Sequence, residues 1–377
     1  MKITILSTAF PYRGGIAVFT ERLARAFISD GNDVNISTFS LQYPNFLFPG
    51  KSQYSSGDKP NDLKITSEVN SINPFNWIRI GRKIKEKKPD LLILKYWIPF
   101  LAPCLGTIAR IVRKNHHTKV IVILDNLIPH ERRIGDNILN SYFVKNVDAF
   151  VAMSASVMDD LNQFDKTKAK LFSPHPVYDN FGKPKAKNEA KNNLGLSTKN
   201  KYILFFGIIR KYKGLDILIK SFADKRIKKD KIKLIVAGEF YEDSSTYHNL
   251  IKENNLQDDI ILVSTFIPDS KVVEYFCASD IIVQPYKNAT QSGVTQIAYH
   301  FEKPMLVTDV GGLKEIVLHN KVGYVCEPNE SSVADALVDF FTNNRESEFI
   351  EGVKDEKEKY SWDKMIENIK SLYQKIC

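Results

Sequence analysis

The strongest constraint on the fold is a series of short apolar runs, each followed by a segment of helical length. Five of these runs lie in the first half of the chain, at residues 3–6, 34–37, 91–94, 120–124 and 149–152. Five more lie in the second half, at residues 202–206, 233–237, 260–263, 281–283 and 305–308. Strands that are apolar on both faces are typical of parallel sheets with helices on either side. The sequence therefore predicts an α/β fold with two doubly wound parallel sheets in tandem.

Chain length and one polar segment indicate where the two predicted domains meet. With 377 residues, the chain is too long for a single ordinary core. Residues 183–193 are polar and basic without an apolar period, so we interpret them as a linker. We therefore expect one domain over residues 1–180 and a second over residues 195–359. The closing residues 360–377 have the spacing of one helix face, carried by Met365, Ile366, Ile369, Leu372 and Tyr373.

The cysteines and the N-terminal sequence bear on the cellular compartment. The four cysteines are scattered without a CxxC pair, as expected of free thiols in a reducing environment. The sequence MKITILSTAF is typical of a first strand and lacks the features of a signal peptide. The longest apolar stretch, residues 96–112, contains prolines and a charge, which favours a buried helix over a membrane span. We expect a cytoplasmic protein.

The chain is basic, with a formal net charge of +9, and many of its cations gather in two patches. These patches contain Arg79, Arg82, Lys83, Lys85, Lys87 and Lys88, and then Arg110, Arg113 and Lys114. Solvated helix faces would explain them, and so would peripheral contact with an anionic membrane or with a phosphate-linked acceptor. No zinc finger or RNA-binding aromatic pair accompanies the cations, so we expect no nucleic-acid partner.

The first candidate site follows the predicted strand that ends at residue 206. Gly207 stands at the strand end, and Arg210 and Lys213 follow it before the next predicted helix. Glycine that admits close backbone approach, combined with two cations at a helix start, suits a diphosphate. Arg210 can hold phosphate oxygens in a bidentate fork, and Lys213 supplies a point charge. Surface cations in an ordinary loop are the alternative.

A second candidate site follows the predicted strand at residues 281–283. Small, hydroxylic and amide side chains lead into a helix there: Thr290, Gln291, Ser292, Gly293, Val294, Thr295 and Gln296. Their backbone amides can point at a phosphate, assisted by the positive end of the helix. A further glycine turn, at residues 311–312, precedes Glu315 on the next predicted helix. Three such turns in one half of the chain favour a phosphate-bearing ligand.

The N-terminal half contains one glycine turn of the same type. Arg13, Gly14 and Gly15 follow the first predicted strand and precede a helix, so the backbone can closely approach a bound group. An ordinary tight turn is the alternative. The pattern is not GxGxxG, and no acid ends the second strand, which disfavours a dinucleotide site.

Polar residues also cluster after the predicted strand at residues 120–124. Asp125, Asn126, His130 and Glu131 are candidates for acceptor contact or acid/base work, with helix capping as the alternative for the first two. No DxD or HxxxH motif occurs in the chain, so we expect no metal.

These segments resemble the retaining glycosyltransferases of family 4, which have the GT-B fold. The resemblance covers nearly the whole chain and is carried by residues 11–27, 125–133, 207–219, 279–317 and 360–362. Its most specific piece is SDIIVQPYKNATQSGVTQIAYHFEKPMLVTDVGGLKEIV at residues 279–317. The resemblance implies two Rossmann-like domains facing across a cleft, with the helix at residues 360–377 joined to the N-terminal domain.

The resemblance also implies a reaction and a set of roles. A sugar would pass from a UDP- or GDP-sugar to a glycan or lipid-linked acceptor with retained configuration, in cell-surface polysaccharide synthesis, without metal or cofactor. Arg210 and Lys213 would contact the diphosphate, and residues 292–295 would meet phosphate and sugar. Gly14 and Gly15 would cover the donor. The predicted donor-binding set also includes Gly207, Thr290, Gln291, Gln296 and Glu315. The predicted catalytic set also includes Asp125 and His130. The predicted acceptor-binding residues are Arg13, Asn126 and Glu131.

The donor segment departs from the family pattern at one pair of positions. Many relatives carry two glutamates spaced by seven residues, where this chain has Ala289 or Thr290 and Gln296 or Ile297. The missing glutamates leave open a non-catalytic nucleotide-sugar-binding or scaffold protein. A nucleotide-sugar epimerase or phosphorylase on the same scaffold is another alternative. A NAD-dependent dehydrogenase is disfavoured by the missing dinucleotide fingerprint.

Overall fold

A computed structural model describes residues 1–44, 53–55, 57–129, 133–227, 231–289 and 292–377. Contacts divide the chain into two compact units, one of Met1–His175 with Ser361–Cys377 and one of Pro176–Tyr360. The strands are β1 Lys2–Leu6, β2 Asp33–Leu41, β3 Ile65–Asn70, β4 Leu91–Tyr96, β5 Lys119–Leu124, β6 Ala149–Ala152, β7 Ala169–Phe172, β8 Lys201–Phe206, β9 Ile232–Ala237, β10 Ile260–Val263, β11 Ile281–Gln284, β12 Met305–Thr308 and β13 Gly323–Cys326.

The helices alternate with these strands. They are α1 Gly15–Ser29, α2 Pro74–Lys87, α3 Ala102–Val112, α4 Asp136–Lys145, α5 Ala155–Phe164, α6 Lys187–Asn193, α7 Leu215–Phe222, α8 Ser245–Glu253, α9 Asp269–Ala278, α10 Gly293–His300, α11 Leu313–Ile316, α12 Glu330–Thr342, α13 Glu346–Lys357 and α14 Trp362–Ile376. No described helix is both long enough and apolar enough to cross a membrane.

The first unit is built on a parallel sheet with the strand order β3-β2-β1-β4-β5-β6-β7. Because side chains alternate along a strand, each buried strand supplies two cores. Leu92 and Leu94 of β4 pack with α2, α3 and α4, whereas Leu91 and Ile93 pack on the opposite face with α1 and α14. Because both faces of these strands are buried, their sequences are continuous apolar runs.

The second unit repeats the architecture with the strand order β10-β9-β8-β11-β12-β13, again parallel throughout. One of its cores packs β8, β9 and β11 against α7 and α12. The prediction of two doubly wound parallel sheets is therefore confirmed. Three strands were not predicted, β3, β7 and β13, and each lies at the edge of its sheet. Edge strands are short or partly polar, so they lack the apolar run that marks a central strand.

The segment that we interpreted as a linker is partly helical. Residues 187–193 form α6 inside the second unit, and the two units divide between His175 and Pro176. Lys187 forms ion pairs with Asp280, at 2.8 Å, and with Glu346. The linker interpretation is wrong for these residues because distant carboxylates hold the basic residues in place, and such partners are invisible in local composition.

A buried lysine in the second unit predicts that the stability of the fold depends on pH. The Lys303 ammonium donates to the backbone oxygens of Cys277 and Ser279, at 3.1 and 2.9 Å, near the end of α9. Burial lowers the pKa of Lys303 to about 8 from the ordinary value of 10.5. Between these values the unfolded chain binds more protons than the folded one, so the free energy of unfolding should rise with pH.

We expect that rise to reach about 2–3 kcal/mol between pH 8 and pH 10.5. Denaturant unfolding at several pH values, compared with Lys303→Met, measures it as a difference between the two proteins. The Lys303→Met chain should lack this contribution, and identical pH slopes for both proteins would contradict the assignment.

Candidate functional site

The floor of the candidate site in the second unit is glycine backbone at the ends of β8 and β9, where Gly207 is partly accessible and Gly238 is buried. Gly207 follows β8 with a φ of 100°, a left-handed value that glycine adopts without strain. A Cβ on Gly238, which follows β9, would lie 1.9 Å from the Gly207 oxygen. The two chain segments can therefore approach each other this closely because Gly238 lacks a side chain.

Lys213 lies directly over this floor. Its Nζ is 3.4 Å from the position that a Cβ on Gly207 would occupy, and the same position is 3.8 Å from a methyl carbon of Val294 in α10. The ammonium also lies 5.6 Å from the ring centre of Tyr286. These distances bring together Gly207, Lys213 and Val294, which were predicted from two separate segments.

The charge of Lys213 has no counter-ion in the described part of the chain. The side chain is half-buried, and no described carboxylate pairs with it. Burial lowers the pKa of Lys213 below its ordinary value of 10.5, and the neighbouring Arg210 charge lowers it further. A partly desolvated cation without an anionic partner is energetically unfavourable, so the site is suited to an anion supplied from outside.

Arg210 opens the turn that positions Lys213. The Arg210 carbonyl oxygen accepts from the backbone N–H of Lys213 at 2.9 Å. Its guanidinium carbon lies 5.3 Å from the ring centre of Tyr241 and, like Lys213, forms no ion pair with any described residue. Gly214 closes the turn with a φ of 69°, and a Cβ there would lie 1.9 Å from the Pro285 oxygen. Glycine therefore lets the turn pack against the loop after β11.

The N-terminus of α10 is capped by Ser292. The Ser292 hydroxyl oxygen accepts from the Val294 N–H at 3.2 Å, and the hydroxyl donates to Gln284 Oε1. The Tyr286 hydroxyl lies 3.3 Å from the Ser292 hydroxyl oxygen, and the Thr295 hydroxyl donates to the Ser292 carbonyl oxygen at 2.6 Å. No acidic residue occupies the first turn of α10, so its positive end is not neutralised locally.

Buried amide groups that form no hydrogen bond within the described residues lie at the end of β11 and in α10. Gln284 Nε2 and both polar atoms of Gln296 are buried and form no hydrogen bond within the described residues. Gln296 was predicted as a donor-binding residue, whereas Gln284 was not singled out because glutamine at a strand end has no local signature. Unsatisfied buried amides are costly, and they are expected where a ligand supplies the missing hydrogen bonds.

Of the remaining residues predicted to bind the donor, Glu315 and Gly293 lie in the described part of the chain and two others do not. Glu315 is a half-buried residue of the short helix α11, which follows β12. Gly293 begins α10, and a Cβ there would lie 3.1 Å from the Tyr178 ring, so the two residues are in close contact. Thr290 and Gln291 lie outside the described residues.

In the first unit, the glycine turn lies at the start of α1. Gly14 caps the helix with a φ of 106°, Gly15 is its first residue, and both are exposed. The first turn of α1 contains no acidic side chain, which leaves its positive end available to an anion. Arg13 is exposed, and its backbone N–H donates to the Gln53 oxygen at 3.0 Å.

Asp125 lies at the carboxyl end of β5 and is paired with a lysine that sequence reasoning missed. Lys95, at the end of β4, is only 3% exposed and donates to Asp125 Oδ1 at 2.8 Å. The Lys95 ammonium also lies 3.6 Å from the ring centre of Phe19 in α1. The available signal was a single lysine inside the otherwise apolar strand Leu91–Tyr96.

The other predicted polar residues after β5 are only partly described. Asn126 Oδ1 is buried and has no hydrogen-bond partner among the described residues. His130 and Glu131 lie outside those residues. Across the described ranges, no group of three or more histidine, cysteine, aspartate or glutamate side chains is arranged to hold a metal ion.

Comparison with known protein families agrees with this arrangement. Residues 13–172 match glycosyltransferase family 4, and residues 186–355 match the glycosyl transferases of group 1. The chain belongs to the GT4 glycosyltransferases. The family that the sequence motifs resemble is thereby confirmed.

Relatives of this GT4 glycosyltransferase align along the whole chain. An uncharacterized glycosyltransferase of Methanocaldococcus jannaschii is 24% identical over 383 residues, which cover 100% of this chain and 99% of the relative. The N-acetyl-alpha-D-glucosaminyl L-malate synthase of Bacillus anthracis is 24% identical over 360 residues, with coverages of 90% and 87%. Among solved structures, HepE of Anabaena in complex with UDP has a TM-score of 0.74 at 14% identity, with coverages of 98% and 100%. The structural likeness confirms the GT-B fold class.

Proposed function

We propose that this GT4 glycosyltransferase moves a sugar from a nucleotide diphosphate sugar to a glycan or lipid-linked acceptor. The transfer retains the anomeric configuration and requires no metal. We place the reaction in cell-surface polysaccharide synthesis on the cytoplasmic side of the membrane. UDP is the first nucleotide to test because HepE of Anabaena, which shares the fold, was solved with UDP and with UDP-glucose.

The observation that carries this proposal is the Lys213 ammonium above Gly207, which has no ion-pair partner among the described residues. A diphosphate bound there would meet the charge of Lys213, the partly accessible backbone at Gly207 and the positive end of α10. The guanidinium of Arg210, three residues before Lys213, supplies a second charge close by. These groups are held in place before the ligand arrives, so little reorganisation is needed when negative charge develops.

The proposed chemistry follows from charge development on the donor. Cleavage of the anomeric C–O bond places positive charge on the sugar and negative charge on the departing diphosphate. Lys213, Arg210 and the amides at the start of α10 stabilise that leaving group. Retention is explained by attack on the same face, with a leaving phosphate oxygen accepting the proton of the acceptor hydroxyl. Gln284 and Gln296 supply buried amide groups that form no hydrogen bond within the described residues, and Gln296 lies at one of the two positions considered for the family's second glutamate.

Nucleotide binding tests the donor site without any knowledge of the acceptor. Isothermal titration calorimetry with UDP, GDP, ADP and CMP measures this binding. We expect one of the three nucleoside diphosphates to bind, and we expect Lys213→Ala to weaken that binding at least tenfold. Lys211→Ala is the matched control because Lys211 is an exposed cation of the same turn. Failure of all four nucleotides to bind, or equal losses in both variants, would refute the site.

The pKa of Lys213 predicts how nucleotide affinity changes with pH. In the free protein burial lowers this pKa below 10.5, and a bound diphosphate would raise it again. Binding therefore takes up a proton at alkaline pH, and the affinity should fall as pH rises through the lowered pKa. Lys213→Arg should flatten this fall because arginine stays protonated. A slope of equal size in Lys213→Arg would contradict the assignment.

A further inference from the structure

The sheet of the second unit has one open edge, which is formed by β10. This strand lies outermost in the sheet and pairs only with β9 among the described strands. Its four residues, Ile260–Val263, are all aliphatic, so the strand contains neither a charge nor a proline. Edge strands present N–H and C=O groups that can pair with another chain, and proteins usually protect them with charges, proline or a covering segment.

The other three sheet edges are protected in these ways. In β3, which contains a glutamate, the Lys59 ammonium donates to the outward oxygen of Ile65 at 3.2 Å. The strand β7 contains Lys170. In β13 the Val325 N–H donates to His319 Nδ1 at 3.0 Å, so the preceding turn covers that edge. Among the described strands, β10 is therefore the edge that can accept a further strand.

Hydrogen bonds to β9 identify which groups of β10 point outward. The Val263 oxygen accepts from the Gly238 N–H at 3.0 Å, directly after β9. Because this direction alternates along a strand, Leu262 and Ser264 direct their N–H and C=O groups away from β9. No described side chain or loop bonds to those outward groups. Two residues, separated by Val263, thus present their backbone groups to a partner.

This arrangement matches a second copy of the same strand. In an antiparallel pair with Val263 opposite Val263 of the second copy, each Leu262 lies opposite a Ser264. Residues opposed in this way exchange both of their backbone hydrogen bonds, so every outward group of Leu262 and Ser264 is satisfied in both copies. The strand is thus complementary to itself about a two-fold axis, as an isologous interface requires.

Charges at the two ends of β10 favour the antiparallel direction. Asp258 precedes the strand, Lys271 follows it in the first turn of α9, and both residues are exposed. Neither forms an ion pair with a described residue, and Glu274, one turn after Lys271, is already paired with Lys185 at 2.6 Å. An antiparallel second copy brings its Lys271 towards Asp258 at both ends of the pair, whereas a parallel copy would bring like charges together.

Apolar side chains beside β10 extend the surface. A shallow groove of about 340 Å³ lies at the end of the strand, and its lining includes Leu194, Val263, Ile267 and Tyr275. Phe266 also lines the groove and is 55% exposed. A second copy that pairs with β10 covers Val263 and brings the same apolar groups with it, so both copies bury apolar surface.

We propose that the protein forms a two-fold symmetric dimer in which β10 pairs antiparallel with β10 of a second copy. The two six-stranded sheets then continue into each other across the axis. This association needs neither nucleotide nor turnover. Its failure and the failure of the proposed transferase activity are therefore observed in separate experiments.

Disulfide trapping tests the register of the pair on the full chain. Opposed Cα atoms of a non-hydrogen-bonded antiparallel pair lie about 4.5 Å apart, which a disulfide can span. In a Cys377→Ser background, which removes the exposed cysteine, Val263→Cys should form a covalent dimer under mild oxidation. Ile261→Cys is the matched control, because its symmetry mate would lie roughly 13 Å away. Non-reducing electrophoresis measures the cross-linked fraction of each variant.

Sedimentation equilibrium tests the association without a cross-link. The unchanged protein should form a species of twice the mass of one chain as its concentration rises. Val263→Lys places like charges opposite each other on the axis and should weaken dimerisation by about tenfold or more. Ile72→Lys adds the same charge at an exposed isoleucine of the first unit and should leave dimerisation unchanged. Thermal melting checks that both lysine variants fold.

A protein that stays monomeric at every concentration would overturn the proposal and leave β10 to a strand of a different protein. Equal cross-linking of Val263→Cys and Ile261→Cys would also overturn it, because random collision would then explain the disulfide. Equal association of Val263→Lys and Ile72→Lys would assign the contact to another surface. If Val263→Lys does not fold, the two cysteine variants decide, since cysteine is uncharged and close to valine in size.

Discussion

Replacement of Lys213 by alanine is expected to reduce kcat by about 100-fold while leaving the folded protein at least as stable as before. The loss corresponds to about 3 kcal/mol of leaving-group stabilisation from one preorganised donor. Stability is retained because the half-buried Lys213 ammonium has no counter-ion among the described residues, so its removal relieves a desolvation cost. Transfer kinetics with the donor that binds, together with thermal unfolding of the free protein, measure the two effects.

The neighbouring cations provide the comparison for this result. Arg210→Ala should also lower kcat, since Arg210 is near enough to depress the pKa of Lys213. Lys211→Ala should leave kcat within about twofold, because Lys211 is an exposed cation. Near-normal turnover in both Lys213→Ala and Arg210→Ala would remove the leaving-group assignment. A parallel loss of stability in Lys213→Ala would instead indicate a structural role.

The second large effect is expected in the first unit, where Asp125→Ala should lower the free energy of unfolding by about 3 kcal/mol at neutral pH. Among the described residues, the substitution leaves the Lys95 ammonium, which is 3% exposed, with the ring of Phe19 at 3.6 Å and no carboxylate partner. Removing one partner of a buried ion pair leaves an uncompensated charge, which costs several kcal/mol. Denaturant unfolding of the purified variant measures the loss.

A double-mutant cycle identifies the source of the Asp125 effect. In a Lys95→Met background, Asp125→Ala should cost less than about 1 kcal/mol, because no buried charge remains to be compensated. Burial lowers the pKa of Lys95, and loss of Asp125 removes the interaction that opposes this shift. The deficit of Asp125→Ala should therefore shrink as pH rises and Lys95 loses its proton. Equal costs in both backgrounds would show that the two residues are not coupled.

The same ion pair bears on the chemical role of Asp125. Its Oδ1 already accepts a hydrogen bond from Lys95, so a substrate hydroxyl would meet the other carboxylate oxygen. Asp125→Asn keeps the acceptor oxygen while it removes the charge. A larger effect of this variant on KM than on kcat would indicate substrate positioning, and the reverse would indicate a role in the reaction itself.

Local sequence patterns were sufficient for the architecture of both units. Continuous apolar runs such as Val120 to Leu124 identify central parallel strands because both faces of such a strand are buried. Glycine after a strand and before a helix, as at Gly14 and Gly207, marks a turn where backbone amides are accessible. These features depend on residues within a few positions of one another, so a single sequence displays them. The edge strands β3, β7 and β13 lacked such a pattern and were missed.

The partners of charged and amide side chains were decided only by the tertiary structure. Lys95 and Asp125 are 30 positions apart, and Ser292 meets Gln284 across the loop that joins β11 to α10. The sequence shows each of these residues but not whether another group neutralises it. Lys187 in the segment taken for a linker has two carboxylate partners, whereas Lys213 has none among the described residues. Electrostatic energies depend on distance and burial, which folding sets, so the sequence determined which residues were available and the fold determined which of them remained open to a ligand.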